Sequence, residues 1–451
     1  YWIMPINSCS KISRRKFVRS STISAISFPF IASGLRANPP SERLRHASFG
    51  ANGMAGADVG SLARSKHFDL VAVADVDLKR AEGIRKRFPK AKFYQDWREL
   101  LDKENKNIDS VNVSTPDHMH GPIGLAAMDY GMHCYGQKPL AHNIRECRAM
   151  AKMAKDKKLM TQMGIQISSA FTERLVVSLV QEGAIGKVTR VHSFSGKKWG
   201  DMGPVPQKED KVPEGLDWDL WLGVAKSRPY ISGYYHPGNW RKRRDFGTGT
   251  FGDMGCHIFS GWYRSLGLTS PISVISHGPA SNEHNWAINA KIDYVFPSTQ
   301  FTKQGNVSVT WYDGDERPPK EVADLVGGKV PGQGSIIIGT EGVLLAPHMS
   351  TPTLYPKEKF EGLKYPKLEP RDHYLEYVES ARGASGKKPS ANFEDYSGPL
   401  TETVLLGCLA TLFPGEKLDW DTEKLKVTNN VKADLQVGRD YREGWKPKAI
   451  I

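Results

Sequence analysis

The sequence predicts an α/β protein with a doubly wound parallel sheet, followed by an α+β domain on a mostly antiparallel open sheet. Three observations carry this. Apolar strand-like runs alternate with amphipathic helix-like runs over 46–164, the rhythm of consecutive β–α–β units. The first strand runs directly into a glycine-rich turn, Gly50-Ala51-Asn52-Gly53-Met54-Ala55-Gly56. Past 166 the rhythm changes to strand-like runs joined by turns, which suits an antiparallel sheet with one face free to cover a ligand.

In chain order, 46–49 is a short strand and 57–65 reads as the helix after the turn. That order leaves free backbone N–H groups at a helix N-terminus, where a phosphate is favoured. Gly50 allows the tight turn, and the small residues after it allow close backbone approach. The spacing is an imperfect G-x-G-x-x-G, with Asn52 at the second glycine and Ala55 at the third. Asparagine tolerates positive φ, so the loop survives the exchange. A glycine turn alone often serves only to start a helix. The next strand, 68–75, ends in Asp75, at the spacing where an acid can bond the ribose hydroxyls of a dinucleotide. Together they predict dinucleotide binding through Gly50, Asn52, Gly53, Met54 and Asp75. Asp75 favours NAD, because the 2′-phosphate of NADP would face like charge; Lys79 and Arg80 nearby keep NADP as the lesser alternative.

Residues 78–87 read as an amphipathic helix, 92–94 as a strand, 97–103 as a helix and 109–114 as a strand closed by Pro116. A helix over 118–130, a strand over 132–136, a helix from an Asn143 cap to 157 and a strand over 160–164 complete the alternation. Ligands bind such sheets at the carboxyl ends of the strands, where Asp75, Ser114, Thr115, Pro116 and Gln137 fall. Beyond, 188–194, 272–276, 287–295, 307–312, 335–338 and 343–346 read as strands with no crossover helix between them. The segment 199–251 is long and rich in aromatic residues, glycine and charge, as functional loops are. Residues 394–412 read as a helix packing back toward the first domain.

The N-terminus stands apart. Ser13-Arg14-Arg15-Lys16-Phe17-Val18-Arg19 is a twin-arginine signature, followed by an apolar run over 23–32 and a small-residue site ending at Ala37. It reads as a signal peptide over 1–37 and predicts export, with a periplasmic destination; the alternative is a basic arm for nucleic acid. The six basic residues of that leader reduce the net charge of +13 to +7 for the remainder. No basic helix with interleaved aromatics is visible, so nucleic acid is not an expected partner. No run reaches the ~20 apolar residues of a membrane span. Cys134, Cys147, Cys256 and Cys408 show no paired spacing and read as buried.

Three stretches could do chemistry. Gln137-Lys138-Pro139 ends a parallel strand on the cofactor side, where a lysine can hold a hydroxyl and a carboxamide at once. In Asp253-Met254-Gly255-Cys256-His257 an acid and a histidine are four apart, one helical turn on one face. Such a pair can share a substrate hydroxyl with the imidazole as proton acceptor, or can be a cap and a core histidine. His236-Pro237-Gly238-Asn239-Trp240-Arg241 carries an aromatic platform and a cation. His118-x-His120 lacks a third ligand, so no metal is expected. The absence of a Gly-x-Ser-x-Gly elbow argues against a serine hydrolase.

The glycine loop, Val73-Ala74-Asp75, the run 114–120, Gln137-Lys138-Pro139 and 253–257 together resemble the glucose–fructose oxidoreductase / inositol dehydrogenase (Gfo/Idh/MocA) family. The likeness covers nearly all of the chain after the leader. It implies an NAD(P)-binding Rossmann domain over 45–165 and a substrate-binding α/β domain over 166–451. It implies that Lys138 orients cofactor and substrate, that Asp253 and His257 bind a sugar, and that His257 acts as base. Trp240 and Arg241 resemble a pair that closes over the nicotinamide; His120 goes with the cofactor and His236 with the substrate. One departure is Gln137, where the family has glutamate; an amide can bond ribose hydroxyls without charge. The expected function is an exported NAD-dependent oxidoreductase of a sugar or sugar derivative with tightly bound cofactor. The alternatives are an NAD-dependent redox-neutral glycosidase, and a non-catalytic sugar- or cofactor-binding protein. A sugar or glycoside is the expected partner, with self-association through the C-terminal sheet.

Overall fold

Six strands alternate with helices in the N-terminal part of the computed structural model, which describes residues 42–450. The twin-arginine motif and the small-residue site at Ala37 lie outside the described residues. The strands are β1 (Leu44–Phe49), β2 (Phe68–Ala74), β3 (Lys92–Tyr94), β4 (Ser110–Val113), β5 (His133–Gly136) and β6 (Thr161–Met163). They pair in the order β3-β2-β1-β4-β5-β6, every neighbour parallel. Successive strands step one way from β1 to β3 and the other way from β4 to β6. The ends of β1 and β4 therefore form the switch point, where an open α/β sheet leaves a crevice. Gly50 and Ser114 meet there: the Ser114 N–H donates to the Phe49 carbonyl at 2.9 Å.

The second sheet has nine strands: β7 (Val188–Ser195), β8 (Ser273–Ser276), β9 (Lys291–Pro297), β10 (Asn306–Asp313), β11 (Gln333–Gly339), β12 (Val343–Pro347), β13 (Thr353–Tyr355), β14 (Leu418–Asp421) and β15 (Lys426–Val427). Their order is β13-β12-β11-β7-β10-β9-β8-β14-β15. All pairs are antiparallel except β7 with β10. That pair corrects the expectation of strands without a crossover, because parallel neighbours require one. The connection contains the helix Gly249–Leu266, of which every residue except His257 and Arg264 is buried. It packs against the helices Phe171–Gln181 and Gly398–Ala410.

The helix Gly398–Ala410 also packs on Ile144–Asp156 of the first sheet's layer, tying the two halves together. Across that contact Arg148 grips Glu402 with two parallel bonds of 2.6 Å. Among the described residues Cys134, Cys147, Cys256 and Cys408 are buried free thiols. The segment 199–251 has a core of its own, with Trp221, Tyr230, Tyr234, Tyr235, Trp240 and Phe246 clustered and buried. It docks on the end of β2, where the Asp217 N–H donates to Val76 and the Leu78 N–H to Gly215. Among the described residues no helix is long and apolar enough to cross a membrane.

Candidate active site

The glycine turn is built by its first two glycines. Gly50 has φ +101° and Gly53 φ +56°. A Cβ on Gly50 would lie 2.7 Å from the Ser114 carbonyl oxygen, whereas one on Gly53 would meet nothing within 4 Å. Asn52 is not in the left-handed region, which corrects the reason given for tolerating it there. Its Oδ1 instead accepts the Gly53 N–H at 2.6 Å, and its Nδ2 donates to the Arg80 carbonyl at 2.9 Å. The helix Met54–Leu62 then starts with no side-chain cap and no acid in its first turn, with Met54 exposed. Asp75 accepts the Ala51 N–H at 2.8 Å and the Asp77 N–H at 2.9 Å. Burial pushes its carboxyl up to about 6, against those two backbone bonds. Each oxygen keeps a second lone pair for a ribose hydroxyl. Uncapped N–H groups, open space above Gly53 and an acid at the end of β2 fit a dinucleotide.

Three residues assigned to the cofactor, Gln137, Ser114 and His120, have side chains turned to other partners. The Gln137 amide donates to Asp58 at 2.8 Å, and its oxygen accepts the Lys138 N–H at 3.3 Å, so it faces the buried helix rather than a ribose. The Ser114 hydroxyl also donates to Asp58 at 2.8 Å, and the Tyr374 hydroxyl donates to its other oxygen at 3.0 Å. Both ring nitrogens of the buried His120 lie 2.8 Å from carbonyl oxygens, of Pro139 and Thr115. His120 thus holds two strand-end loops together and has no ring nitrogen left for a ligand. The Thr115 hydroxyl contacts the carbonyl of Pro116 at 3.3 Å, at the mouth of the same crevice.

The chemistry-bearing residues converge one loop further on. Lys138 Nζ donates to Asp253 Oδ1 at 2.5 Å and to the Asp253 carbonyl at 2.8 Å. The two side chains are 12% and 9% exposed, so the pair is largely screened from water. Lys197 reaches the other Asp253 oxygen at 3.3 Å, and Arg241 Nε lies 3.5 Å from Oδ1. Burial alone would raise the Asp253 carboxyl, but Lys138, Arg241 and Lys197 together hold it well below the usual carboxylate range. His257 follows one turn later on the same helix. Burial, then Lys138 and His348, keep its imidazole well below the usual histidine range, so it is neutral. Its Nδ1 is buried without a hydrogen-bond partner. Arg241 stacks over Trp240 at 4.2 Å and reaches over Trp199 at 5.7 Å.

Not every expected residue joins this cluster. His236 pairs with Asp77 at 3.0 Å and lies edge-on to Trp221, which places it at the end of β2 instead of beside Asp253. The buried His118 turns to the Trp221 carbonyl at 3.1 Å, away from His120. A cleft of about 1150 Å³ is lined by His142, Arg228, Arg244, Trp286 and Arg439, and none of the predicted chemical residues lines it. Conversely, Lys197, Trp199, His348 and Asp58 join or support the site without having been singled out. Lys197 had a legible signal, a cation just past the carboxyl end of a strand. His348 and Asp58 had none, since their partners are distant in sequence.

Comparison with known proteins agrees with this layout. The family profile "Oxidoreductase family, NAD-binding Rossmann fold" matches residues 44–165, and "Oxidoreductase family, C-terminal alpha/beta domain" matches 171–306. Levoglucosan dehydrogenase of Pseudarthrobacter phenanthrenivorans is 26% identical over 186 residues, 41% of this chain and 40% of that protein. The α-N-acetylgalactosaminidase of Shewanella oneidensis is 27% identical over 129 residues, 27% of this chain and 28% of that enzyme. These matches span well under two thirds of the curated relatives. The WlbA dehydrogenase from Bordetella pertussis, solved with NADH and UDP-GlcNAcA, superposes with a TM-score of 0.60 at 14% identity, over 84% of this chain and 99% of that one. Aldose–aldose oxidoreductase from Caulobacter crescentus gives 0.56 at 15% identity, over 84% and 100%. The two family profiles are those of an oxidoreductase family with an NAD-binding Rossmann domain. The chain belongs to the Gfo/Idh/MocA family.

Proposed function

We propose that this chain oxidises a hydroxyl-bearing carbon of a sugar or sugar derivative. NAD, when bound, supplies the hydride acceptor. The glycine turn and the N-terminus of Met54–Leu62 would hold its pyrophosphate, and Asp75 a ribose. His257 takes the hydroxyl proton, for which a neutral imidazole is suited. Lys138 polarises the same oxygen, and Asp253 fixes Lys138 in place. Lys197 and Arg241 add positive charge where an oxyanion develops. The observation that carries this reading is the buried Lys138–Asp253 pair beside a neutral histidine, at the carboxyl end of a parallel sheet.

A second reading uses the same groups in a redox-neutral glycosidase. The relatives named glycosyl hydrolase family 109 protein favour it, such as that of Shewanella sp. strain ANA-3, 28% identical over 109 residues. Export by the twin-arginine route, a periplasmic location, tightly held cofactor and self-association through the nine-stranded sheet complete the proposal. The experiment is to incubate the protein with polyols and glycosides, following free NADH and reducing ends separately. Lys138→Ala and His257→Ala are each expected to lower turnover by about 10² to 10⁴ with the fold intact. Turnover near that of the unaltered protein in either variant refutes the assignment. Stoichiometric free NADH supports an ordinary dehydrogenase, and glycoside cleavage without NADH supports the second reading.

A further inference from the structure

The cleft of about 1150 Å³ shares no residue with the cluster around Asp253. Four arginines line it, and they differ in their partners. Arg228 pairs with Asp245, and Arg243 with Asp201 at 2.7 Å. Arg244 and Arg439 have no carboxylate within ion-pair distance among the described residues. Arg244 donates instead to the carbonyls of Asn282 at 3.0 Å and Glu283 at 3.4 Å, and to the Gln436 side chain at 3.4 Å. Arg439 donates to the Asp245 carbonyl at 3.3 Å and lies 3.4 Å from His142 Nδ1. The Nε of each is buried without a hydrogen-bond partner. A guanidinium carries five N–H donors in a fork that matches a carboxylate or phosphate. Holding one out of water without a counter-charge is costly. Burial lowers Arg244 from the usual arginine range, against the more distant Asp245 and Glu283.

The two arginines are held next to each other. His142 Nε2 lies 2.8 Å from the Arg244 carbonyl, so Nε2 carries the proton and Nδ1 accepts from Arg439. Burial, then Arg439, pushes His142 down to about 3, which keeps it neutral. Gln436, bonded to Arg244, belongs to the same stretch of chain as Arg439. Trp286 supplies a flat wall: its indole N–H donates to the Gly247 carbonyl at 2.7 Å, and the Arg244 guanidinium lies 5.8 Å from its ring centre. The carboxylates of the lining other than Asp245, which are Glu209, Glu283 and Asp440, are exposed to solvent. The cleft is far larger than a lone ion needs and has the size that holds an organic molecule. We propose that it is a second binding site, for an organic carboxylate or phosphate whose oxyanion lies between Arg244 and Arg439 and whose body rests against Trp286. The incoming charge supplies the counter-ion that these two arginines lack, and their forks fix its orientation. This site does not depend on the reaction at Lys138 and His257.

The test is binding, measured by titration calorimetry on protein saturated with NAD, so that the glycine turn is not open to the probes. The probes are D-glucuronate and D-glucose 6-phosphate, with D-glucose as the neutral control. At least one of the anions is expected to bind saturably and about tenfold or more tighter than glucose. Which of the two binds tighter tells a carboxylate ligand from a phosphate ligand. Arg244→Gln and Arg439→Gln are each expected to weaken that binding by about tenfold or more, whereas Lys138→Ala leaves it within about twofold. Arg439→Lys keeps the charge without the fork and is expected to weaken it less; circular dichroism establishes folding of every variant. Saturable binding of neither anion, or glucose bound as tightly as the anions, overturns the proposal. So does binding that the folded glutamine variants retain, or that Lys138→Ala abolishes.

Discussion

The Gln137 amide donates to the buried Asp58 carboxylate at 2.8 Å, across the gap between the end of β5 and the first helix. An amide is complementary to Asp58 there, and a second carboxylate would not be. The departure from Glu-Lys-Pro therefore has its partner elsewhere in the same chain. Gln137→Glu should lower stability by roughly 1–3 kcal/mol, the cost of an unsatisfied buried polar group. Asp58→Asn in the same chain should recover most of that. Denaturant unfolding of the four forms as a double-mutant cycle measures the coupling, and simple additivity would exclude it.

Asp58 also predicts a pH dependence. Burial, against the bonds from Gln137, Ser114 and Tyr374, pushes its carboxyl up to about 6. The folded chain therefore keeps this proton after the unfolded chain, with a value of about 3.9, has lost it. This group's contribution to stability falls as pH rises across that window and is flat above it. Asp58→Asn lacks the slope, so its stability relative to the unaltered protein should climb from pH 4 to pH 6 and then level. Urea midpoints at pH 4, 5, 6 and 7 check the sign.

Lys138 is expected to set the acid limb of catalysis. Burial first, then Lys138, holds His257 well below the usual histidine range, so activity should be flat through neutral pH and fall only in acid. Lys138→Met removes a positive neighbour, so the His257 imidazolium becomes less unfavourable and its pKa rises. The acid limb of kcat/KM should then move to higher pH, while kcat falls by about 10² to 10⁴. An NMR titration of His257 reads the same shift without turnover, and a limb that stays in place would remove Lys138 from that role.

Asp75 holds the glycine turn through the Ala51 N–H, and in the proposed function it also bonds a ribose. Asp75→Ala should weaken NAD binding by roughly tenfold or more, the effect of losing one charge-assisted hydrogen bond. It should also narrow the preference over NADP, because the like charge opposite a 2′-phosphate is gone. Titrating both nucleotides against both proteins measures this, and an unchanged preference would demote Asp75 to a loop anchor.

The elements carried by local pattern are legible in the chain itself. The β–α alternation, the turn after β1, the acid after β2 and the helical spacing of Asp253 and His257 all depend on neighbours within a few turns. Hydrophobic periodicity and glycine chemistry express themselves at that range. They suffice for the parallel sheet, the crevice at its switch point and the core of the site.

The tertiary structure decided what depends on partners far apart in sequence. Asp58 lies 79 residues from Gln137 and 316 from Tyr374, so no local spacing could reveal that the amide belongs to a buried carboxylate. His120 reads as a ligand-facing histidine until two carbonyls close on its ring, and His236 as a substrate residue until Asp77 takes it. The parallel pairing of β7 with β10 is settled by how the chain between them folds back, and the approach of His348 to His257 by the register of β11 with β12. Each is a matter of which polar groups are buried together, and burial is a property of the packed chain.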